Sequence, residues 1–576
     1  MKNIDINNLI KASKAFKTGN STKKLAILGD HSTQYLKKAI QGFFVLSNTD
    51  IEVIESEYNQ IFMTINDPNS FIYRDCPNYV LIFESTEKLE NSFFNLPEHN
   101  KSSFANKKIL EIEELLNVLS KNLPTSKIII ADFLESGHNV FGNYGYTTPY
   151  AFQYQIRKLN SLIIDLVSKK GNVFLNNINH VALSLGQEQF ISRPFYFSAD
   201  MPFSLETTSI LAKNISQIIH SCEGRFKKCA IIDLDNTIWG GIIGDDGLEH
   251  IEIGNLGSGK VFTAFQKWLL ELKKRGIILC VCSKNNESIA KEPFEKHPDM
   301  VLRLNDIAVF VANWENKADN IRFIQGILNI GFDSMVFLDD NPFERNQVRV
   351  ELPELCVPEL PETAENYIEH LNSLNLFETT NFSPSDKDRT KQYQEESLRA
   401  ENKVLFSSIN GYLKSLEMHA EIKPFDGLNK ARIAQLSQRS NQFNLRTIRY
   451  TEKDIEDIIE SKSKQGFYIK IKDKYGDYGL ISVIVLINES EHLFIDSWVM
   501  SCRVLKRDVE NLVLNRIVAY GRKKEKKVLV GEYIPTKKNK LVERHYETLG
   551  FDKKDKYWIL DVKSYIDKIH FIKSNS

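Results

Sequence analysis

Short apolar runs alternate with amphipathic segments along the first part of the chain. Buried-strand runs occur at residues 24–30, 51–54, 79–83, 127–132 and 173–175. Helical patterns such as that of residues 152–168 separate them. The alternation predicts an α/β fold for residues 1–222, with a doubly wound parallel sheet.

The pattern changes toward the end of the chain. From about residue 466, several β-type runs are followed by a helical segment, another β-type run and a last short helix. This order predicts a smaller α+β domain over residues 456–576. Residues 376–455 are more polar and predict a helical connector.

One apolar run, residues 229–232, ends abruptly in paired carboxylates. Asp233 and Asp235 follow it, and several glycines punctuate the next residues. Parallel α/β sheets place ligands at the carboxyl ends of their strands. Two carboxylates at such an end suit a hard divalent cation, with one Asp free to attack phosphorus. Taken alone, the motif is equally consistent with a pair of solvated turn aspartates.

Three later segments favour the chemical reading. Residues 276–283 form a second buried run ending in Ser283, whose hydroxyl could donate to a phosphoryl oxygen. Residues 313–320 open a predicted helix and offer Lys317, either a charge that neutralises a transferring phosphate or an ordinary exposed helix lysine. Residues 334–340 form a third run, which ends in two further aspartates.

The order of these segments, with the start Asp-Leu-Asp-Asn-Thr at residues 233–237, resembles the haloacid dehalogenase superfamily of phosphotransferases. Four sequence motifs resemble more narrowly the FkbH-like glyceryltransferase/phosphatase family. They lie at residues 239–247, 282–285, 313–315 and 338–345. The resemblance implies a Rossmann-like catalytic domain over residues 223–375. The intervals between the segments leave no room for a large cap domain, so we expect an open site.

The resemblance also implies roles for individual residues. Asp233 would be the phosphoryl-accepting nucleophile, and Asp235 the acid and base. Mg²⁺ would be held by Asp233, the backbone carbonyl of Asp235, and Asp340, with Asp339 outside the direct ligand set. Ser283 and Lys317 would bind the phosphoryl oxygens.

FkbH-like proteins are associated with moving the glyceryl group of 1,3-bisphosphoglycerate to the thiol of an acyl carrier protein, with loss of both phosphates. The acyl phosphate is already activated, so the scheme needs no ATP. Cys282 is the predicted enzyme thiol, with a pKa lowered by Mg²⁺ and Lys317; the alternative is a small buried strand residue. A plain phosphatase of sugar-phosphate or polysaccharide metabolism would need the aspartates but neither Cys282 nor a carrier.

The amino-terminal domain resembles the SGNH hydrolase fold without its catalytic residues. Residues 29–32 match the opening block of that fold, but His31 stands where the nucleophilic Ser is expected. Asp200 has no His three residues later. We therefore expect a docking or covering domain, with Ser32 as a minor alternative nucleophile.

The carboxyl-terminal domain resembles an N-acetyltransferase of the GNAT type. Its acyl-CoA phosphate loop needs glycines, yet residues 503–508 carry Lys506 and Asp508 there. We expect a non-catalytic module that holds the phosphopantetheine arm of a carrier protein. The amide-rich residues 435–445 before it predict either a ligand-facing loop or a solvated helix end.

Composition and charge narrow the possible binding partners and the cellular location of the protein. The 576 residues are 42% hydrophobic and 26% charged, with a net charge of −1, which gives no general attraction to nucleic acid or to anionic membranes. The seven cysteines show no disulfide or metal-binding pattern. With no signal-peptide or membrane-spanning pattern, we expect a cytoplasmic protein.

Overall fold

The computed structural model describes residues 5–17, 21, 23–135, 140–380, 391–396, 399, 406, 408–536 and 538–575. The chain divides into two compact units, Met1–Ser221 and Cys222–Ser576. The described part of the first unit holds one sheet, and that of the second holds two.

The first unit is built on a parallel five-stranded sheet of order β2-β1-β3-β4-β5. Its strands follow the apolar runs of the sequence because every residue of the inner strands β3 and β4 is buried. The strands are β1 Lys24–Gly29, β2 Glu52–Glu55, β3 Tyr79–Phe83, β4 Lys127–Ala131 and β5 Val173–Asn176. The parallel α/β architecture predicted for this region is therefore present.

Helices connect these strands. They are Ile6–Ser13, Gln34–Leu46, Ile61–Asn66, Phe71–Asp75, Thr86–Phe94, Glu98–Lys101, Phe104–Asn122, Phe152–Ser168, Ile178–Leu185, Gln187–Phe190, Arg193–Ala199 and Leu205–Cys222. A 3₁₀ turn, Gly142–Tyr146, precedes the eighth of them.

His31 lies just after β1. It is 3% exposed, and its ring meets the rings of Phe83 and Phe203 edge-on at 5.2 and 5.7 Å. Its Nδ1 lies 3.0 Å from Asp30 Oδ1. The neighbouring Ser32 donates its backbone N–H to the carbonyl of Asp200. A buried imidazole thus occupies the position at which the sequence resemblance led us to look for a nucleophilic Ser.

The second unit begins with a parallel four-stranded sheet of order β8-β7-β6-β9. Its strands are β6 Cys229–Ile232, β7 Ile278–Ser283, β8 Val309–Ala312 and β9 Met335–Leu338. Strand β6 is interior, and its side chains alternate between two cores. Ile231 packs with Ile321 and Val348 on one face, and Ile232 packs with Leu269 on the other.

Within residues 223–380, which are all described, six helices accompany this sheet: Ile243–Asp246, Gly259–Lys274, Glu287–Lys296, Lys317–Leu328, Pro342–Glu351 and Tyr367–Leu374. The 3₁₀ turns are Leu304–Asp306, Phe332–Ser334 and Ala364–Asn366. Between Asp233 and Ser283, an interval that is described throughout, the chain forms only a short loop closed by the Gly240–Glu252 bridge and two of these helices. This agrees with the expectation of a core without a large cap.

The third sheet is mixed and has the order β15-β16-β14-β13-β12-β11-β10-β17. The pairs β13–β14 and β10–β17 are parallel, and the others are antiparallel. The strands are β10 His419–Pro424, β11 Lys464–Lys472, β12 Asp477–Asn488, β13 His492–Met500, β14 Val528–Glu532, β15 Asp552–Lys554, β16 Tyr557–Asp561 and β17 Lys573–Asn575. Its helices are Ile409–Ser415, Lys430–Arg439, Glu452–Glu460, Val509–Lys523 and His545–Thr548, with 3₁₀ turns Cys502–Val504 and Lys540–Val542.

The helical connector predicted for residues 376–455 needs correction. Residues 419–424 pair with β11 and belong to the third sheet. This strand was not predicted because Ala420 and Ile422 alone give too weak an apolar pattern in the sequence. Of the rest, residues 381–390, 397–398, 400–405 and 407 lie outside the described residues.

The amide-rich residues 435–445 do not form a solvated helix end. Gln435 and Asn444 are fully buried, and Gln438 donates to the carbonyl of Tyr450. The amides bind backbone inside the domain. Among the described residues no helix combines the length and the apolarity that crossing a membrane requires.

Candidate active site

The candidate site lies at the carboxyl end of the four-stranded sheet. Asp233 follows β6 directly, and its backbone N–H donates to the carbonyl of Leu338 in β9 at 2.9 Å. Its side chain is 9% exposed. The next strand along, β7, ends in the buried Ser283. The structure therefore brings the predicted nucleophile and the predicted phosphate-binding hydroxyl to one edge.

Lys317 is not an ordinary surface lysine. It begins the helix Lys317–Leu328, whose cap is the side chain of Asn316 accepting from the N–H of Ala318. Its side chain is only 3% exposed, and its Nζ lies 3.0 Å from Asp233 Oδ1 and 2.6 Å from Asp339 Oδ2. Burial alone would lower the Lys317 pKa, but the two carboxylates outweigh it and raise the pKa. Lys317 is thus held as a cation against the nucleophile.

A third carboxylate, that of Asp340, lies beside the two that contact Lys317. One oxygen each from Asp233, Asp339 and Asp340 lies within 4.8 Å of the others. Burial, followed by the charge of Asp233, raises the pKa of Asp339 to about 7 and also raises that of Asp340. The three carboxylates therefore carry more negative charge than one lysine neutralises. Their oxygens are the ligands that a hard divalent cation prefers.

The two acid-strand residues are held differently. Asp339 is fully buried; its Oδ2 binds Lys317, and its Oδ1 accepts the N–H of Asn341 at 2.8 Å. Asp340 is less buried, and its Oδ1 lies 3.3 Å from the hydroxyl of Thr237. Both carboxylate oxygens of Asp339 therefore accept hydrogen bonds. Among the described side chains, Asp340 is bound by Thr237 through Oδ1, which leaves Oδ2 for a ligand.

Asp235 sits beside the trio in a network of donors. Its Oδ1 accepts from Trp239 Nε1 at 2.8 Å and from the N–H of Ile243 at 3.0 Å, and its Oδ2 accepts from Asn285 at 3.0 Å. Burial raises the Asp235 pKa, and these hydrogen bonds only partly oppose the effect. A carboxyl group with a raised pKa is suited to giving and taking protons.

Several of these positioning residues were missed in the sequence. Trp239, Asn285 and Thr237 orient carboxylates, and Arg345 donates to the backbone carbonyls of Asp339 and Asp340 at 2.7 and 2.6 Å. All four lie inside or beside the motif words that suggested the family. The motifs can be found in the sequence, but the hydrogen bonds that these residues make depend on the fold.

Cys282 was predicted as an activated thiol, and its surroundings in the structure do not favour that role. The side chain is fully buried and packs in the core with Cys280 and Ile321, and its Sγ lies 3.8 Å from the backbone carbonyl of Lys317. Burial raises the Cys282 pKa, and the nearby Lys317 does not offset this. Burial and the raised pKa therefore favour the alternative, a small buried strand residue, and the role of Cys282 stays a prediction for mutagenesis.

A second candidate site is a cavity of about 800 Å³ in the same unit. Its wall includes residues 326–329 of the catalytic part and the loop 503–508 of the last sheet. In this loop Lys506 and Asp508 both have φ of 62°, the left-handed region that favours glycine. The backbone thus keeps a glycine-type shape while carrying side chains.

This sheet order and these four segments define a catalytic domain of the haloacid dehalogenase type. The sequence model of the FkbH N-terminal domain matches residues 24–220. A crystal structure from Bacteroides fragilis, the N-terminal part of protein BF1531 containing a phosphatase domain complexed with Mg, is 45% identical. The match covers 66% of this chain and 100% of that one, with a TM-score of 0.63. The chain belongs to the FkbH-like family.

Other similarities are far weaker. The ribosomal-protein-S18-alanine N-acetyltransferase of Escherichia coli is 11% identical over 26% of this chain and 99% of its own, with a TM-score of 0.20. The spermidine/spermine N-acetyltransferase SpeG of Vibrio cholerae, in complex with manganese ions, is 14% identical over 27% of this chain and 96% of its own, with a TM-score of 0.21. The comparison with curated proteins returned no match.

Proposed function

We propose that the chain is a Mg²⁺-dependent enzyme that removes a phosphoryl group through an aspartyl-phosphate at Asp233. The observation that carries this proposal is the buried contact of Lys317 with Asp233 and Asp339 beside a third carboxylate. No structural role requires so much buried charge at the end of one sheet, and a phosphoryl group needs both the nucleophile and the cation.

In this mechanism an Asp233 oxygen attacks phosphorus and the bond to the leaving oxygen breaks. Asp235 gives its proton to that oxygen. The same carboxylate then takes a proton from the water that hydrolyses the aspartyl-phosphate. Lys317 and Ser283 bind the phosphoryl oxygens, and Arg345 keeps the acid strand end in place through two carbonyls.

A divalent cation fits the same carboxylates. Asp233, the backbone carbonyl of Asp235, and Asp340 would hold Mg²⁺, because Asp339 already has both oxygens engaged. When bound, Mg²⁺ supplies positive charge that neutralises the transferring phosphoryl group. The Mg in the Bacteroides fragilis relative supports the choice of metal.

The finer proposal concerns the substrate and the acceptor. We infer that 1,3-bisphosphoglycerate loses its 3-phosphate at Asp233 and passes its glyceryl group to an acyl carrier protein. The carrier thiolate attacks the acyl carbonyl, a thioester forms, and the carbon–oxygen bond to the 1-phosphate breaks. Membership of the FkbH-like family supports this route, and the cavity of about 800 Å³ is large enough for a pantetheine arm. Without an exposed thiol at Cys282, the transfer is direct.

The test is phosphate release by the full chain with Mg²⁺ and with a chelator. We expect release to stop in the chelator and in Asp233→Asn, because an amide does not attack phosphorus. The matched control is Asp319→Asn, an exposed aspartate on the helix that begins with Lys317. Unchanged release from Asp233→Asn would overturn the phosphotransfer proposal.

The acceptor is tested separately. Carrier protein with and without its phosphopantetheine arm is incubated with enzyme and 1,3-bisphosphoglycerate, and intact mass is measured. A glyceryl adduct on the arm-bearing carrier alone supports transfer. Phosphate release without any adduct on an active carrier would favour a plain phosphatase of sugar-phosphate or polysaccharide metabolism.

A further inference from the structure

One partly buried ion pair near the candidate site has no part in the phosphoryl-transfer chemistry. Lys284 Nζ lies 2.7 Å from Glu344 Oε1. Lys284 directly follows Ser283 at the end of β7, and Glu344 lies in the first turn of the helix after β9. Since β7 and β9 flank β6, the pair joins the two segments on either side of Asp233.

The two partners differ in their surroundings. The side chain of Glu344 is 8% exposed, whereas that of Lys284 is 34% exposed and can reach solvent. The second oxygen of Glu344, Oε2, is buried and has no hydrogen-bond partner among the described residues. A buried carboxylate oxygen without a donor is costly, so a site of this kind gains when a ligand supplies a hydroxyl or amine proton.

We propose that Lys284 and Glu344 recognise the part of the substrate that is not transferred. Lys284 binds a second anionic group, and Glu344 Oε2 accepts a hydrogen bond from a hydroxyl group. The inference rests on the proposed phosphatase activity and deepens it. The substrate class is then a phosphate monoester that also carries a hydroxyl and a second anion, as a phosphorylated hydroxy acid does.

Three substrates separate these contacts. They are 3-phosphoglycerate with a hydroxyl and a carboxylate, glycerol 3-phosphate with hydroxyls only, and p-nitrophenyl phosphate with neither. In Lys284→Met we expect kcat/KM for 3-phosphoglycerate, relative to glycerol 3-phosphate, to fall about tenfold or more, mainly through KM. In Glu344→Gln we expect the preference for both hydroxylated substrates over p-nitrophenyl phosphate to fall by a similar factor.

The matched control is Lys291→Met. Lys291 also has a side-chain exposure of 34% and an ion pair with a glutamate, Glu287, but this pair lies along the helix Glu287–Lys296. The specificity ratios of this variant should equal those of the wild type. A thermal unfolding scan of each variant shows whether the protein remains folded.

The charge-swapped double variant Lys284→Glu with Glu344→Lys separates substrate recognition from a purely structural ion pair, called a strap here, that only holds the two segments together. A strap regains its ion pair in the swap, so recovered specificity ratios would overturn the proposal. Ratios that stay low in the swap support it. Ratios unchanged in both single variants would also overturn it while leaving the phosphatase activity intact, whereas a wild type that releases no phosphate from any substrate would overturn the activity itself.

Discussion

Lys317 is the residue on which the charge balance of the site depends. Its removal in Lys317→Met leaves Asp233 and Asp339 buried without their cation. We expect a loss of stability of about 3–5 kcal/mol in chelator, as for other broken buried pairs, together with loss of phosphate release. Added Mg²⁺ should restore part of the stability, because it brings positive charge to the same oxygens. Differential scanning calorimetry with and without Mg²⁺ measures this.

The control for this prediction is Arg322→Met on the same helix. Arg322 is 43% exposed and pairs with Asp319 and Glu351 at the surface, so its removal should change the melting temperature little. Equal losses in the two variants would mean that the Lys317 contacts do not carry the expected energy.

Cys282 gives a second residue-scale prediction. Because its thiol is buried and its pKa is raised, Cys282→Ala should keep phosphate release and carrier loading and lose about 1 kcal/mol of stability. In the native protein, iodoacetamide should modify the exposed Cys76 well before Cys282, which peptide mass spectrometry can follow. A folded Cys282→Ala protein that releases phosphate but no longer loads a carrier would restore the thiol to the reaction.

The residues of the site show what a sequence can reveal. Asp233, Asp235, Ser283 and the Asp339–Asp340 pair follow or end apolar runs, Lys317 begins a helix, and the fold brings them to one edge. The direction of Cys282 was not predictable in the same way. Every residue of β7 is buried, so no exposed position in the strand indicates toward which side the thiol points.

At the scale of elements, the loop at residues 503–508 makes a testable contribution to stability. Lys506 is exposed and holds a φ of 62°, a conformation that costs a residue with a Cβ about 1–2 kcal/mol. Lys506→Gly should therefore raise stability by about 1 kcal/mol, after the greater flexibility of glycine in the unfolded chain is subtracted. Thermal unfolding measures the change.

A Lys→Gly substitution at a helical position should instead lower the stability of the protein. Lys267 is exposed in the middle of the helix Gly259–Lys274, where glycine costs about 1 kcal/mol. If Lys506→Gly also destabilised the protein, contacts of the Lys506 side chain would outweigh the backbone strain.

Elements were predictable where one pattern dominates. The helix Phe152–Ser168 and the strands β3 and β9 follow from strong periodicity or from unbroken apolar runs. Strand β10 was missed because its burial is irregular and its last residue is Pro424. It joins the sheet as a partner of β11, a long-range pairing that leaves little local signal.

At the scale of the whole molecule, every residue assigned to phosphoryl transfer lies in the unit Cys222–Ser576. We therefore expect a fragment of residues 222–576 to release phosphate in a Mg²⁺-dependent way, within a few-fold of the full chain. Phosphate release and circular dichroism of the fragment are the measurements. A folded but inactive fragment would show that the first unit contributes to catalysis.

The cavity beside the loop at residues 503–508 has a consequence for cooperativity. Its wall is shared between residues 326–329, at the end of a catalytic-core helix, and the last sheet. A molecule that occupies it binds only while both walls are in place, so its binding energy opposes the separation of one from the other. By mass action, such a ligand at a hundred times its dissociation constant would add about 2.7 kcal/mol to their joint stability. Occupancy would thereby merge the melting of the catalytic core and of the last sheet into one transition.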